Sequence, residues 1–286
     1  MIRRPVSREF LWRAPVWQAD VDAFGEVRNV SMLRLLQEAA TRASTDAGFD
    51  ASYYDRTDLM WLVRRTGITL MSPARYGDEL TVRTWIADFR RVRSQREYEV
   101  RVDDRIVARA FSDWVFVDRT TGRPRRIPEE WHTTFAAEGM PPIARTAFPE
   151  AGPPDGAATR TRRIELHELD ALRHVNNSNY VAHLEQAAFD VFESAGVPFA
   201  MQSPSRGRFR AVRHDLEYLD AALYGETVAV TIWRTEVTER EVEYHVHLHR
   251  GDPRRPILQA RSRYAWTSTD GSLAMPVKLR DALANP

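Results

Sequence analysis

The chain carries its own template twice. The segment DVDAFGEVRN, from Asp20 to Asn29, recurs as ELDALRHVNN, from Glu168 to Asn177, 148 positions later. The same offset pairs Asp22 with Asp170, Val27 with Val175, Leu36 with Leu184, Ala39 with Ala187 and Gly48 with Gly196. Downstream it aligns YGDELTVRTW, from Tyr76, with YGETVAVTIW, from Tyr224. ARAFSDW, ending at Trp114, matches ARSRYAW, ending at Trp266, at an offset of 152, which predicts a longer hairpin (HRGDPRRP) in the second copy. Self-similarity at a fixed spacing constrains architecture before any local motif does, and two copies of roughly 125 residues make a duplicated domain, not a solenoid. The expected division is residues 1–134, a linker over 135–160, and residues 161–286.

Each copy spells the same elements. After the acidic loop comes an amphipathic helix, with Met32, Leu33, Leu35, Leu36, Ala39 and Ala40 near one face in the first copy. Val181, Leu184, Ala188 and Val191 keep the i, i+3, i+7 rhythm in the second. Gly48 and Gly196 stand where each helix needs a left-handed stop. Strands follow, in which Leu80, Val82, Thr84 and Ile86, or Val242, Tyr244, Val246 and Leu248, alternate with their neighbours. Between the copies, Gly139 to Arg160 is rich in Pro, Gly and Ala without periodicity, the composition of a linker. One helix and a run of antiparallel strands, stated twice, predict an α+β protein of two repeats.

The 41 basic and 40 acidic residues nearly cancel, so bulk charge does not point to nucleic acid. No apolar run approaches the ~18 residues of a membrane span. The opening MIRRPVSREF lacks the apolar core of a signal peptide. With no cysteine, disulfides, thiolate zinc sites and cysteine nucleophiles are excluded. A cytoplasmic location without membrane or nucleic-acid partners is the expectation, as a monomer or homodimer.

HVNNSNYVAHLE, from His174 to Glu185, resembles the signature of hotdog-fold thioesterases. The first half adds LLQEAA (Leu35 to Ala40), MWLVRRTGITLMSPARYGDELTVRTW (Met60 to Trp85) and SDWVFVDRTTGRPRRIP (Ser112 to Pro128). Together, in this order, they resemble the acyl-ACP thioesterase family, whose members carry tandem hotdogs. The resemblance implies a double hotdog, each repeat packing a long helix on an antiparallel sheet. It also implies hydrolysis of fatty acyl-ACP to free fatty acid and carrier protein, without metal or organic cofactor. An acyl-CoA thioesterase and a non-catalytic acyl-binding protein are the alternatives.

A thioesterase needs a polarised carbonyl and an activated water, and no G-x-S-x-G elbow is present. Polar residues just before a helix cluster at its N-terminus, where unpaired N–H groups and the dipole favour an oxyanion. Asp170 or Glu168 is a candidate base, or Asp170 orients His174 for that role, with Asn176 and Asn177 capping the helix or binding the carbonyl. The plant-type loop D-x-N-x-H-V-N-N maps onto Asp170 and His174, but Leu172 replaces its Asn. The further acid expected near Ala221, beside Asp220, is missing or displaced. DVDAFGEV, from Asp20 to Val27, resembles the loop of single-hotdog acyl-CoA thioesterases in which the first Asp is catalytic, making Asp20 a second candidate. His245, His247 and His249 alternate along a strand, and are expected to face solvent or the helix-free side while Val246 and Leu248 take the core. Arg90, Arg91, Arg93 and Arg96, with Arg123, Arg125 and Arg126, are expected on a solvated face that suits an acidic carrier. Met60, Trp61, Trp85 and Trp114 are expected in the core or as walls of an acyl pocket.

Overall fold

The computed structural model describes residues 8–135, 145–148 and 152–284 and separates into two compact units, Met1–Thr146 and Ala147–Pro286. The opening MIRRPVS and residues 136–144 and 149–151 of the expected linker lie outside the described residues.

In the first unit, β1 (Glu9–Pro15) is followed by α1 (Asn29–Asp46), α2 (Ala51–Thr57), β2 (Leu59–Leu70), β3 (Glu79–Phe89), β4 (Arg93–Val102), β5 (Arg105–Asp118) and α3 (Glu129–Phe135). The strands pair antiparallel in the order β1-β3-β4-β5-β2. In the second unit, β6 (Ala158–Arg163) precedes α4 (Tyr180–Ser194), β7 (Arg208–Tyr218), β8 (Thr227–Val237), β9 (Glu241–His249), β10 (Pro256–Ser268), the short β11 (Gly271–Ser272) and α5 (Val277–Ala284). Its order, β6-β8-β9-β10-β7, is the same one repeated, with β11 on β10. Each unit lays one long helix on an antiparallel sheet, the hotdog arrangement. Ala158–Arg160, within the stretch read as linker, open β6.

The helices form as their patterns dictate. In α1, Met32, Leu33, Leu36, Ala39, Ala40 and Ala43 are buried while Leu35 is half-buried. In α4 the buried set is Tyr180, Val181, His183, Leu184, Ala187, Ala188 and Phe192. Gly48 (φ +93°) and Gly196 (φ +86°) end them in the left-handed conformation that glycine adopts without a Cβ penalty.

The duplication extends to irregularities. Strand register slips between Ile86 and Asp88 in β3, and between Arg234 and Glu236 in β8. It slips again between Val63 and Arg65 in β2, and between Ala211 and Arg213 in β7. These are the same two bulges, each inserting one residue and re-aiming the strand. After the last long strand, Ile127, Pro128, Trp131 and Phe135 correspond at the original offset to Met275, Pro276, Leu279 and Leu283. In the first unit the rings of Trp131 and Phe135 pack with Phe49, Tyr53, Ile86 and Phe116, Phe49 stacking on Trp131 at 3.8 Å. The second unit has aliphatic residues at the corresponding helical positions.

Two side-chain expectations are corrected. His245, His247 and His249 are buried, not solvated. They do lie opposite Val246 and Leu248, but on a face that is itself covered. Arg261 donates to His245 Nε2 (3.1 Å), His247 Nδ1 lies 3.1 Å from the Pro253 carbonyl, and His249 Nε2 lies 2.9 Å from Thr231 Oγ1. Trp233 packs edge-on to the first two rings. Arg96 does not join the solvated arginines. It is 3 % exposed, donates to Thr84 Oγ1 (3.4 Å) and lies over the Phe135 ring (5.6 Å), because β4 turns its position toward the core. Trp85 is buried, while Met60, Trp61 and Trp114 are half-buried.

Candidate active site

The acidic loop that opens each copy is built twice from the same hydrogen bonds. In the first unit Gly25 N–H donates to Asp22 O, Asp22 N–H to Glu26 O, Arg28 N–H to Asp20 O and Val27 N–H to Ala74 O. In the second, the donors are Arg173, Asp170, Asn176 and Val175, and the acceptors Asp170, His174, Glu168 and Ala222. All four bonds agree at the offset read from sequence. The turn needs a left-handed residue, supplied by Gly25 (φ +78°) in one copy and by Arg173 (φ +63°) in the other.

On this shared frame the second copy mounts different side chains. Asp170 Oδ1 accepts from Leu172 N–H (2.9 Å), which fixes the carboxylate, and stands 3.6 Å from His174 Nδ1. Both side chains are about a quarter exposed, so water reaches them. Asn176 Oδ1 accepts from Ser178 N–H (3.0 Å) and from its hydroxyl (2.6 Å). That local turn competes with helix, so α4 begins at Tyr180, three positions later than α1 would predict. Asn177 gives its carbonyl to the Tyr218 hydroxyl (3.1 Å).

Glu168 lies beneath the loop. Its side chain is 4 % exposed, and Oε2 accepts from Arg162 (2.6 Å) and from Glu165 N–H (2.7 Å). Oε1 lies 3.0 Å from Nε2 of His183, which is equally buried. Arg162 also donates to His183 Nδ1 (2.6 Å), which assigns the ring proton to Nε2, facing the carboxylate. Burial pushes the Glu168 carboxyl up, but the His183 and Glu165 N–H groups and the Arg162 charge outweigh it and hold it below the usual carboxylate range. Burial holds His183 below its ordinary value despite Glu168. The Glu168 carbonyl meanwhile accepts from Asn176 N–H (2.9 Å) and Asn179 Nδ2 (2.8 Å). A strand, a helix and the loop are therefore tied at one residue.

Asp20, the counterpart of Glu168, is half-buried and accepts from Trp17 N–H (3.1 Å). The counterparts of Arg162 and His183 are Ala14 and Leu35, so the first copy lacks that network. Leu172 is 45 % exposed. Asp220 accepts from Arg250 (2.9 Å), which also reaches Glu226 (3.1 Å) and the Ala221 carbonyl. Sequence reasoning missed Arg162 and His183. The one available signal was a histidine inside the apolar stripe of a helix, next to Leu184.

A second ionisable pair lies under α4. His214 is fully buried, with Nδ1 2.9 Å from Ser262 Oγ and Nε2 4.0 Å from Glu185. Burial pushes its imidazole down to about 3. Among the described residues no group of three or more His, Asp or Glu side chains is arranged to hold a metal ion, and no helix is long and apolar enough to cross a membrane.

Residues 9–135 match the family profile described as acyl-ACP thioesterase N-terminal domain, and residues 164–284 match that of the thioesterase-like superfamily. Both copies therefore match thioesterase families, the first the acyl-ACP thioesterases. Among similar proteins, the chloroplastic oleoyl-acyl carrier protein thioesterase 2 of Arabidopsis thaliana is 24 % identical over 172 residues, 53 % of this chain and 46 % of that protein. The chain spans less than half the length of the plant relatives it matches. A candidate acyl-CoA thioesterase of Bacillus subtilis, YneP, is 25 % identical over 121 residues, 41 % of this chain and 88 % of that protein. The solved 12:0-ACP thioesterase from Umbellularia californica superposes with a TM-score of 0.74 at 19 % identity, over 91 % of this chain and 94 % of that one. At that identity the likeness speaks for the fold alone.

Proposed function

We propose that this chain hydrolyses fatty acyl thioesters carried on acyl carrier protein, releasing the fatty acid and the carrier thiol. The observation that carries the reading is the water-accessible Asp170–His174 pair, 3.6 Å apart on a loop pinned from beneath by Glu168. Asp170 orients His174, which takes the proton from the attacking water, and Asn176 steadies the turn beside the carbonyl. Glu168, occupied by Arg162 and His183, serves to position the loop. Asp20 is the reserve acid, on the frame that lacks a histidine.

Thiol release from matched acyl-ACP and acyl-CoA substrates tests this, with Asp170→Ala, His174→Ala and Asp20→Ala beside the parent. Loss of a general base lowers rates by about 10²–10⁴, so the first two variants should drop by that much and Asp20→Ala by far less. If Asp20→Ala alone abolishes release, the chemistry belongs to the first copy.

The match to YneP favours an acyl-CoA substrate as a second reading. The discriminating feature is the exposed basic surface. Arg90, Arg91 and Arg93 form the β3–β4 hairpin, and Arg125 and Arg126 run beside it, tied by Ile127 N–H to Arg91 O (3.0 Å). Arg90 and Arg125 pair with Asp88 and Asp118 at 3.0 Å each. Such a surface speeds encounter with an acidic carrier and loses effect with salt. A cytoplasmic location fits either substrate. Acyl binding without thiol release from any substrate would favour the non-catalytic reading, to which Leu172 and Ala221 point.

A further inference from the structure

The second unit contains a half-open cavity of about 780 Å³ lined by the later turns of α4, residues 154–157 and the start of β6, β8, β9 and α5. Its origin is legible in the repeat. Where the first unit packs Trp131, Phe135 and Ile86, the second has Leu279, Leu283 and Arg234. The rings that fill one copy are absent from the other.

Ala187, Val191, Ile232, Trp233 and Leu283 form apolar walls. Arg234 and Tyr244 are among the polar groups that interrupt them. Arg234 is half-buried and donates to the Leu283 carbonyl, and among the described residues it makes no other hydrogen bond or ion pair. Tyr244 is 2 % exposed, lines the cavity, and its hydroxyl has no hydrogen-bond partner among the described residues. Arg160 and Asp190 neutralise each other at the mouth (2.7 Å), and Asp155 stands on the exposed rim.

A cavity of this size with apolar walls and a few converging polar groups has the form of a small-molecule site. A guanidinium and a phenol together offer donors and no competing base, which selects an anionic acceptor, and a planar carboxylate suits the guanidinium fork. We propose that the second unit binds a fatty carboxylate here, head group on Arg234 and Tyr244, at a site separate from the Asp170–His174 loop. Along α4 the lining begins at Ala187, roughly 10 Å from the helix start at 1.5 Å per residue. The inference goes beyond hydrolysis and does not require it. If hydrolysis holds, the site receives the chemical class of the product.

The test is calorimetric titration of the full chain with dodecanoate below its micelle concentration, beside dodecanol. Carboxylate recognition predicts dodecanoate binding at least tenfold tighter than the alcohol. Leu283→Phe, which restores the ring of the first copy, should weaken dodecanoate tenfold or more, and Tyr244→Phe, which removes only the hydroxyl, about threefold or more. Asp170→Ala should leave the affinity unchanged, which separates this outcome from any failure of hydrolysis. Equal binding of alcohol and carboxylate, unaltered affinity in both cavity variants, or loss of binding in Asp170→Ala would each overturn the proposal.

Discussion

Arg173 shows most plainly how a single residue departs from the template. It occupies a left-handed conformation that Gly25 fills in the first copy, and a side chain there costs about 1 kcal/mol. Arg173→Gly should keep the turn and raise stability by about 1 kcal/mol in urea titration, and Gly25→Arg should lower it by a similar amount. His214 gives a pH signature. The unfolded chain takes up a proton below about 6.5, whereas the buried ring resists until about 3, so stability should fall as pH drops through that window. His183, His245, His247 and His249 shift in the same direction and add to the slope. His214→Gln should flatten it in part, as read from urea midpoints between pH 7 and pH 4. Sequence showed the candidate acids and His174 because they are contiguous in one loop. It did not show Arg162 and His183, which sit on a strand and a helix and meet Glu168 only after folding.

The element to which the proposed chemistry is assigned is the loop between β6 and α4, and it is held by burial more than by its turn. Glu168→Ala strands a guanidinium and an imidazole beneath it, and removing one partner from a buried ion pair costs about 3–5 kcal/mol. Asp20→Ala at the matching place releases one partly exposed N–H and should cost about 1 kcal/mol or less. Thermal or urea unfolding of the two variants compares them directly. Periodicity marked α1 and α4 and their glycine stops because a helical stripe repeats locally. It left the start of α4 open, since the Asn176–Ser178 turn is a side-chain bond and leaves no periodic trace. The histidine strand was misread for a related reason: alternation tells which residues share a face, not whether that face is covered.

For the molecule as a whole, the repeat offset pointed to two α+β repeats of one element order, because duplicated sequence must satisfy the same packing twice. Net charge was less informative. The near-balance of 41 basic and 40 acidic residues conceals the local excess on the β3–β4 hairpin. Arg90→Glu with Arg126→Glu should raise KM for acyl-ACP several-fold at low ionic strength and leave acyl-CoA turnover nearly unchanged. Steady-state kinetics at two salt concentrations would show it, and an equal effect on both substrates would remove the hairpin as a carrier-docking face. The 780 Å³ cavity was not read beforehand: the ring-to-aliphatic differences stand in the sequence, but only the packed elements around them show that nothing else fills the space.

The paired bulges also carry a chronology. An inserted residue at the same two places in both copies is most simply inherited, so the bent sheet existed before the gene doubled. The histidine of the loop, the arginine in place of glycine and the aliphatic residues around the cavity belong to one copy only, and so record divergence afterwards. The two halves thus share one shape and differ in the side chains mounted on it.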